Sequence, residues 1–298
     1  MSFRASRAIV FGLMLVGASC VSSTSNGAQS GTNPDISGTA EPVLLFKSGF
    51  EGDVRIDPTV YANNEDYRYI KGTDSESGYS WPINVLGAQG SGLHYIDDDD
   101  HRAVRSEIQT VTGRNGETTR ALYSVQNYDL GVTQNPYEIL NIAKGRKDLY
   151  IKYWIKLDAQ SLTTPDMWRA LFEYKTRGYA TGDGFRLIAF VYTDAAGKPF
   201  WHWQGDQDPE TPLWEIDNHD IPVAKNAWTK MEFYWHFSEG RAGRALWRVN
   251  DQVVGDHRGP TTRNSAPIDF IILTQIYGSA NPKHQWVDDI EIWRGLPK

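Results

Sequence analysis

In Trp228-Thr-Lys-Met-Glu-Phe-Tyr-Trp-His-Phe237, apolar and polar side chains alternate, and this alternation is the strongest evidence for the fold. Successive side chains of a β-strand point to opposite faces of the sheet, so the alternation predicts a strand with one dry face and one wet face. The dry face holds Met231, Phe233, Trp235 and Phe237, and the wet face holds Lys230, Glu232, Tyr234 and His236. Such a strand packs its dry face on a second layer and leaves its wet face to solvent or a ligand.

Similar β-rich segments lie on both sides of this one, and Gly, Asp or Pro residues separate them. They occupy residues 149–157, 168–174, 185–192, 200–204, 245–250, 270–277 and 286–293. Helical periodicity is nearly absent from the chain. Short strands at this spacing predict an all-β fold, in which two antiparallel sheets pack as a β-sandwich.

The composition limits the kinds of molecule that the protein is expected to bind. The chain has 298 residues and a net charge of −7, and no basic run follows the first ten residues. Phosphate binding needs a clustered positive surface, so this charge distribution argues against nucleic acid as a partner. An acidic balance still allows a local Arg or Lys cluster to line a cleft for an anionic polysaccharide.

Residues 1–20 form a predicted signal peptide that ends in the one cysteine of the chain. Two arginines precede an apolar run over residues 8–16, which is too short to span a bilayer. The small residues Gly17, Ala18 and Ser19 then lead directly to Cys20. This arrangement resembles the lipobox of bacterial lipoproteins, in which Cys20 would be lipidated and become the new N-terminus. Gly17 departs from the bulkier residue usual at its place, so plain signal cleavage is the alternative.

The rest of the chain divides into two parts. Residues 21–42 are rich in Ser, Thr, Gly and Asn and predict a flexible linker. Residues 43–298 show no break in composition and no repeat, so we predict one β-domain there. These features predict an exported protein. It is either an outer-membrane lipoprotein, attached to the membrane by its lipid anchor alone, or a periplasmic or extracellular protein.

Four stretches in chain order resemble a known family. They are Arg105-Ser-Glu107, the strand at 150–157, the strand and hairpin at 228–254, and the segment 286–293. Together they resemble the jelly-roll polysaccharide lyases of the heparin-lyase-I-like and alginate-lyase-like families, within the concanavalin-like superfamily. The resemblance implies a jelly roll whose concave sheet forms a cleft for a polysaccharide. It also implies β-elimination on sugars that carry a uronate group.

β-Elimination needs a group that neutralises the substrate carboxylate, a base and an acid. The resemblance implies Arg105 and Gln275 as neutralising residues and Tyr277 as the acid/base candidate. Lys175 is a second acid/base candidate, and it stands where the lyases carry a histidine. An unperturbed lysine is protonated at neutral pH, so a lysine base requires a special environment.

Further polar residues are predicted to bind substrate in the same cleft. Arg105, Glu107 and Gln109 alternate along one strand and share a face, as do Arg169, Glu173 and Lys175. The segment Trp201-His-Trp203-Gln204 offers a sugar platform, or else two core tryptophans with His202 outward. The candidate substrate-binding residues are Glu107, Gln109, Arg169, Glu173, His202 and Trp203.

Two other functions remain open. The segment Trp214-Glu215-Ile-Asp217-Asn-His-Asp220 resembles the catalytic strand of laminarin-type glucanases, although its third acid is an aspartate where those enzymes carry a glutamate. That resemblance implies a glycoside hydrolase with a pair of carboxylates. The third alternative is a glycan-binding lipoprotein without catalysis, which the missing histidine favours.

The two ends of the β-domain also resemble those of many concanavalin-like domains, which lie side by side and hold a structural calcium ion. The resemblance implies Glu51 from the first strand, with Asp288 and Asp289 from the last, as calcium ligands. Carboxylate and carbonyl oxygens are the ligands that calcium prefers.

Cys20 is expected to be the first residue of the mature protein and to carry the lipid. Mass spectrometry of the N-terminal peptide from the exported protein measures both features. A mature N-terminus at another residue, or the absence of an acyl mass on Cys20, would contradict this expectation.

Overall fold

The computed structural model describes residues 41–61, 64–83, 93–95, 104–130, 139–141, 147–176, 178–179, 184–207, 211–263, 268–274 and 276–298. Ala40–Lys298 is one compact unit. The predicted signal peptide with Cys20, and nearly all of the predicted linker, lie outside the described residues. Within those residues, no helix has the length and apolar character that a membrane span requires.

Almost every regular element is a strand. Two short 3₁₀ turns, at Tyr128–Leu130 and Gln160–Leu162, are the helical elements within the described ranges. The strands are β1 (Val43–Ser48), β2 (Arg55–Tyr61), β3 (Asn64–Thr73), β4 (Ser80–Trp81), β5 (Leu93–Tyr95), β6 (Val104–Thr112), β7 (Thr118–Gln126), β8 (Ile139–Asn141), β9 (Asp148–Leu157), β10 (Trp168–Thr176), β11 (Arg186–Thr193), β12 (Pro199–Asp206), β13 (Pro212–Asn218), β14 (Trp228–His236), β15 (Arg244–Val249), β16 (Gln252–Arg258), β17 (Ile268–Ile272), β18 (Tyr277–Gly278) and β19 (Lys283–Arg294).

These strands form two large sheets and a small one. The eight-stranded sheet has the order β16-β15-β14-β9-β19-β7-β6, with β1 paired to β19. The seven-stranded sheet has the order β13-β12-β11-β10-β17-β8, with β18 paired to β10, and the small sheet joins β2, β3, β4 and β5. All pairings are antiparallel in the described strands. The predicted all-β fold, an antiparallel jelly-roll sandwich, is therefore confirmed.

The core lies between the two large sheets and is rich in aromatic rings. Phe233 of β14 stacks on Phe172 of β10 with ring centroids 4.2 Å apart, and Trp235 stacks on Tyr174 at 4.7 Å. Met231, Phe233 and Trp235 are completely buried, as the alternating pattern of that segment predicts. Burial of large aromatic side chains supplies much of the free energy that holds two sheets together.

A β-bulge in β10 decides which of its side chains face the core. The register against β11 shifts between Ala170 and Phe172, so that one extra residue lies in β10. Leu171 and Phe172 both join the core, as does Tyr174, while Glu173 faces outward.

The same bulge places Arg169 inside the sandwich, completely buried. Its guanidinium donates to Asp158 at 3.1 Å, to Ser161 at 2.8 Å and to the Gln285 side chain of β19 at 3.1 Å. The prediction that Arg169 binds substrate on the face of Glu173 is therefore wrong. Period-two counting fails there because the extra residue reverses the alternation.

Replacing Arg169 with leucine is expected to lower the free energy of unfolding by about 3–5 kcal/mol, since the Asp158 carboxylate would remain buried without its cation. Burial acts to raise the pKa of Asp158, but Arg169 and the surrounding donors outweigh it and hold that pKa below its ordinary value. The loss of unfolding free energy in this variant should therefore be largest at neutral pH. It should become smaller as the pH falls through the folded-state pKa of Asp158. Urea unfolding at several pH values measures it.

Arg258→Leu is the matched control, because Arg258 also pairs with an aspartate, Asp256, at 3.1 Å but is 64% exposed. Removing this ion pair should lower the free energy of unfolding by less than about 1 kcal/mol, as for other surface ion pairs. Equal losses in the two variants would show that the buried network adds no stability of its own.

Candidate functional site

The outward face of the seven-stranded sheet carries a dense group of polar side chains, which we call the polar face. Its members are Glu173, Lys175, Arg186, His202, Gln204 and Asp206. Their neighbours in sequence, among them Tyr174, Leu187 and Trp203, are buried in the core. Because side chains alternate along a strand, the polar members point away from the core.

Three of these residues form a charged row across adjacent strands. Lys175 lies opposite Arg186, and Arg186 lies opposite Asp206. Arg186 binds Asp206 with two nitrogens, Nε at 3.1 Å from Oδ1 and Nη2 at 2.6 Å from Oδ2. Burial acts to lower the pKa of Arg186, but the carboxylates of Glu173 and Asp206 outweigh it and raise that pKa. The guanidinium therefore stays charged while almost fully buried.

Glu173 lies two residues before Lys175 on β10 and is completely buried. Its carboxylate is 2.5 Å from Lys175 Nζ and 3.8 Å from Arg186 Nη1. The charge of Glu173 is thus compensated by two cations that also face outward.

The ring of Tyr179 lies against the same two cations. Lys175 Nζ is 5.1 Å from its centroid and the Arg186 guanidinium carbon is 5.0 Å from it. Burial raises the pKa of Tyr179, and the nearby Asp206 carboxylate adds to this rise. Tyr179 therefore presents a protonated phenol beside the charged row.

A chain of hydrogen bonds extends the charged row toward the sheet edge. Gln204 donates from Nε2 to Asp206 Oδ2 at 2.7 Å, which turns its Oε1 toward His202 Nε2 at 3.2 Å. The other ring nitrogen, Nδ1, lies 2.6 Å from Asp217 Oδ1 of β13. Both ring nitrogens of His202 therefore face acceptor oxygens.

An aromatic row lies beside the charged groups on the same face. Tyr277 pairs opposite Ala170, Ala170 opposite Phe190, and Phe190 opposite His202. Tyr192 stacks on the His202 ring at 4.5 Å. This row forms a small apolar cluster on the outer side of the sheet, separate from the core.

Two tyrosines of this region titrate far above neutral pH. Burial raises the pKa of Tyr277, and the Glu173 carboxylate raises it further. Burial also raises the pKa of Tyr192 to about 12. Both side chains are therefore protonated phenols at neutral pH, able to donate a proton or a hydrogen bond.

The structure does not bring Arg105, Glu107 and Gln109 to the polar face. They lie on β6 of the eight-stranded sheet, and Ile108 between them packs on the core, so they point outward from that sheet. Arg105 pairs with Glu107 at 3.2 Å. Arg105 and Tyr277 therefore lie on opposite sides of the sandwich, and the prediction of one cleft that contains both is wrong. Strand periodicity gives the face of a strand but not the sheet to which the strand belongs.

A further predicted residue falls elsewhere. Trp203 is completely buried against Trp247 and Phe233, so the prediction that it binds sugar is wrong. Gln275 lies outside the described residues. By contrast, Glu173, Lys175, His202 and Tyr277 do share one face.

Sequence reasoning missed Arg186, Asp206, Tyr179 and Tyr192. A signal was present in Arg186-Leu-Ile-Ala-Phe-Val-Tyr192. In a strand, Arg186 and Tyr192 lie on the same face, and Leu187 lies on the opposite, buried face. Only the pairing of β11 with β10 and β12 shows that the face with Arg186 and Tyr192 points outward.

The acids of the glucanase-like segment are divided between a strand and a turn. Glu215 and Asp217 project from β13 beside His202, and both are about half exposed, at 51% and 52%. Asp220 lies beyond the end of that strand, where its amide donates to Asn218 Oδ1. The strand therefore presents two of the three acids, which weakens the glycoside hydrolase alternative.

The predicted calcium ligands meet near Thr119. Its Oγ1 lies 2.9 Å from Glu51 Oε1 and 3.3 Å from Asp288 Oδ2, while Asp289 forms an ion pair with Arg114. The Glu51 carboxylate also accepts the Arg120 amide at 2.8 Å. Protein donors thus already occupy these carboxylates, and no group of three metal-binding side chains converges among the described residues. Calcium binding at this position stays a prediction.

Asp288→Asn is expected to raise the melting temperature at pH 8 in calcium-free buffer. Burial, and then the Asp289 charge, raise the pKa of Asp288 to about 7. The folded state therefore favours the protonated acid, and stability falls as the pH rises through that value. The gain in melting temperature should disappear near pH 4, and a thermal melt of both proteins at each pH measures it.

A calcium titration tests the other possibility in the same experiment. If calcium raises the melting temperature of the wild type but not that of Asp288→Asn, an ion bound to the native state occupies this position. An Asp288→Asn variant less stable than the wild type at pH 8 without calcium would contradict the burial argument.

Comparisons with known proteins concern the fold. No protein-family model matches the chain. No curated protein matches it either. Solved structures of several polysaccharide lyases do match.

The alginate lyase Aly36B, in complex with an alginate trisaccharide, is 18% identical over 64% of this chain and 85% of its own, with a TM-score of 0.47. The endo-β-1,4-glucuronan lyase of the fungus Trichoderma reesei is 11% identical over 65% of this chain and 90% of its own, with a TM-score of 0.46. The marine alginate lyase of Aplysia kurodai is 11% identical over 66% of this chain and 88% of its own, with a TM-score of 0.45. The chain is similar to these lyases in its β-jelly-roll fold.

Proposed function

We propose that the polar face binds a glycan containing uronic acids and cleaves it by β-elimination. The observation that carries this proposal is the position of the charged groups directly beside the aromatic row on one sheet. Aromatic rings stack on the apolar faces of sugars, and charged side chains bind carboxylates and hydroxyls. Neighbouring rows of both kinds allow one glycan chain to contact both.

The reaction defines which groups the site must supply. A base removes the proton on the carbon next to the carboxylate, and the electron pair forms a carbon–carbon double bond as the bond to the leaving oxygen breaks. The leaving oxygen takes a proton from an acid. Negative charge builds up on the substrate carboxylate during the first step, so a nearby cation lowers the barrier.

Lys175 is the cation best placed to neutralise the substrate carboxylate. Its side chain is 21% exposed, whereas that of Arg186 is 7% exposed and binds Asp206. Glu173, which contacts the Lys175 ammonium at 2.5 Å, holds it in place. Lys175 thus contributes charge in this proposal.

Tyr277 is the proposed acid. Burial and the Glu173 carboxylate raise its pKa, so the phenol carries a proton at neutral pH. It lies on the same face as Lys175, at the start of the aromatic row. His202, at the other end of that row, lies three strands from Tyr277, too far to act on the same sugar ring, so we propose that it binds a neighbouring sugar.

The second candidate function is glycan binding without catalysis. The specific observation in its favour is that the cations and the imidazole of the polar face already have acceptor partners. A face with satisfied charges can bind sugar hydroxyls through the same groups without chemistry.

Tyr277→Phe tests the lyase proposal directly. Wild type incubated with alginate or another uronate polymer should form unsaturated product, measured by its ultraviolet absorbance. Loss of the acid should lower that rate by about 10²–10⁴-fold while leaving the affinity for the polymer unchanged. Release of reducing ends without unsaturated product would instead indicate a hydrolase.

Tyr234→Phe is the matched control. Tyr234 is also half-buried with a raised pKa, and it binds Asp148 at 2.9 Å on the outward face of the other sheet. Its variant should form product at the wild-type rate. If wild type binds uronate polymers but forms no unsaturated product from any of them, binding without catalysis is the function of this face.

A further inference from the structure

A second row of side chains crosses the outward face of the eight-stranded sheet, on the far side of the sandwich from the polar face. Directly paired positions on β14, β9, β19, β7 and β6 place these residues side by side. In order they are Trp228, Lys156, Trp286, Tyr123 and Glu107. Neighbouring strands are spaced about 4.8 Å apart, so the row is roughly 19 Å long.

Lys156 lies between two indole rings in this row. Its Nζ is 4.5 Å from the centroid of the Trp286 ring and 5.2 Å from that of Trp228. All three side chains are partly exposed. A cation at this distance from ring faces is held by the negative face of each π-system.

Hydrogen bonds that the two rings donate to β6 hold both rings in position. Trp286 donates from Nε1 to Gln109 Oε1 at 2.9 Å, and Trp228 donates from Nε1 to the Thr112 carbonyl at 3.0 Å. The two rings therefore need little further ordering when a ligand contacts them, and such preorganisation favours binding.

Lys156 differs from the other cations near this row because none of the described residues gives it a carboxylate partner. Arg105 pairs with Glu107 at 3.2 Å, Lys152 with Glu291 at 2.8 Å, and Arg114 with Asp289. Within the described residues, no carboxylate lies at ion-pair distance from Lys156. Partial burial lowers the pKa of Lys156, so its charge is partly desolvated, and the two indole rings are the described groups that offset this cost. A bound anion would supply the missing charge.

We propose that Lys156, Trp228 and Trp286 form a second glycan-binding site that takes an acidic sugar, with its anionic group on Lys156 and its rings against the indoles. The anionic group is a carboxylate or a sulfate ester. Indole faces suit the apolar faces of sugar rings, and the Lys156 cation selects a charged sugar over a neutral one. The site goes beyond the proposed lyase function, because it lies on the opposite side of the sandwich and requires no catalysis.

Lys156→Gln tests this site, because it removes the charge and retains a polar side chain. Binding is measured by retardation in native gels that contain alginate, which carries carboxylates, dextran sulfate, or neutral dextran. All proteins carry Tyr277→Phe so that the polymer stays intact. Lys156→Gln should weaken binding to one acidic polymer or to both by about tenfold, or ~1.4 kcal/mol, and should not change the response to dextran. Which polymer loses affinity identifies the anionic group.

Two further variants make the result specific. Lys156→Arg keeps the charge and the ring contacts and should retain most of the affinity. Lys230→Gln is the matched control, because Lys230 projects from β14 on the same face but pairs with Asp251 and with Glu232 at 3.5 Å. The affinity of the Lys230→Gln variant for the acidic polymers should match that of the parent protein.

Unchanged affinity in a folded Lys156→Gln variant would overturn the proposal, as would equal losses in Lys156→Gln and Lys230→Gln. Thermal melts of each variant establish that it is folded. Neither result bears on the lyase activity of the polar face, which is measured as product formation by the protein with Tyr277 intact.

Discussion

The packing of β10 on β14 is the interaction on which the rest of the structure depends. Two stacked ring pairs, Phe172 on Phe233 and Tyr174 on Trp235, join the two large sheets at their centres. Once Tyr174 points inward, its neighbour Lys175 must point outward, because side chains of a strand alternate between faces. The position of the candidate site therefore follows from the packing of the core.

The bulge in β10 connects stability to the site in the same strand. The extra residue allows Arg169 to turn inward, where it joins Asp158 of one connection to Gln285 of the other sheet. Farther along the strand, Glu173 turns outward and is buried beneath two cations. Without the bulge, one of the two groups would point in the wrong direction. One extra residue in β10 thus separates a buried structural arginine from the glutamate of the polar face.

The two outer faces of the sandwich differ in how their charges are compensated. On the polar face, Lys175 and Arg186 are each matched by a carboxylate, so a ligand must compete with existing contacts. On the other face, Lys156 has aromatic neighbours but no described carboxylate partner, so an anion adds a contact without breaking one. The first arrangement suits chemistry in which groups change partners, and the second suits binding alone.

The fold class could be predicted from the sequence, because the alternation in residues 228–237 and the spacing of β-rich segments are local properties of the chain. The sequence also placed Glu173, Lys175, His202 and Tyr277 among the candidates, since each occupies the polar phase of its strand. Only the tertiary structure decided that Arg105 lies on the other side of the sandwich and that Trp203 and Arg169 are buried. The physical reason is that strand order and register arise from contacts between distant segments, which local periodicity does not contain. A single bulge, or the choice of sheet for one strand, then moves a side chain from one face of the molecule to another.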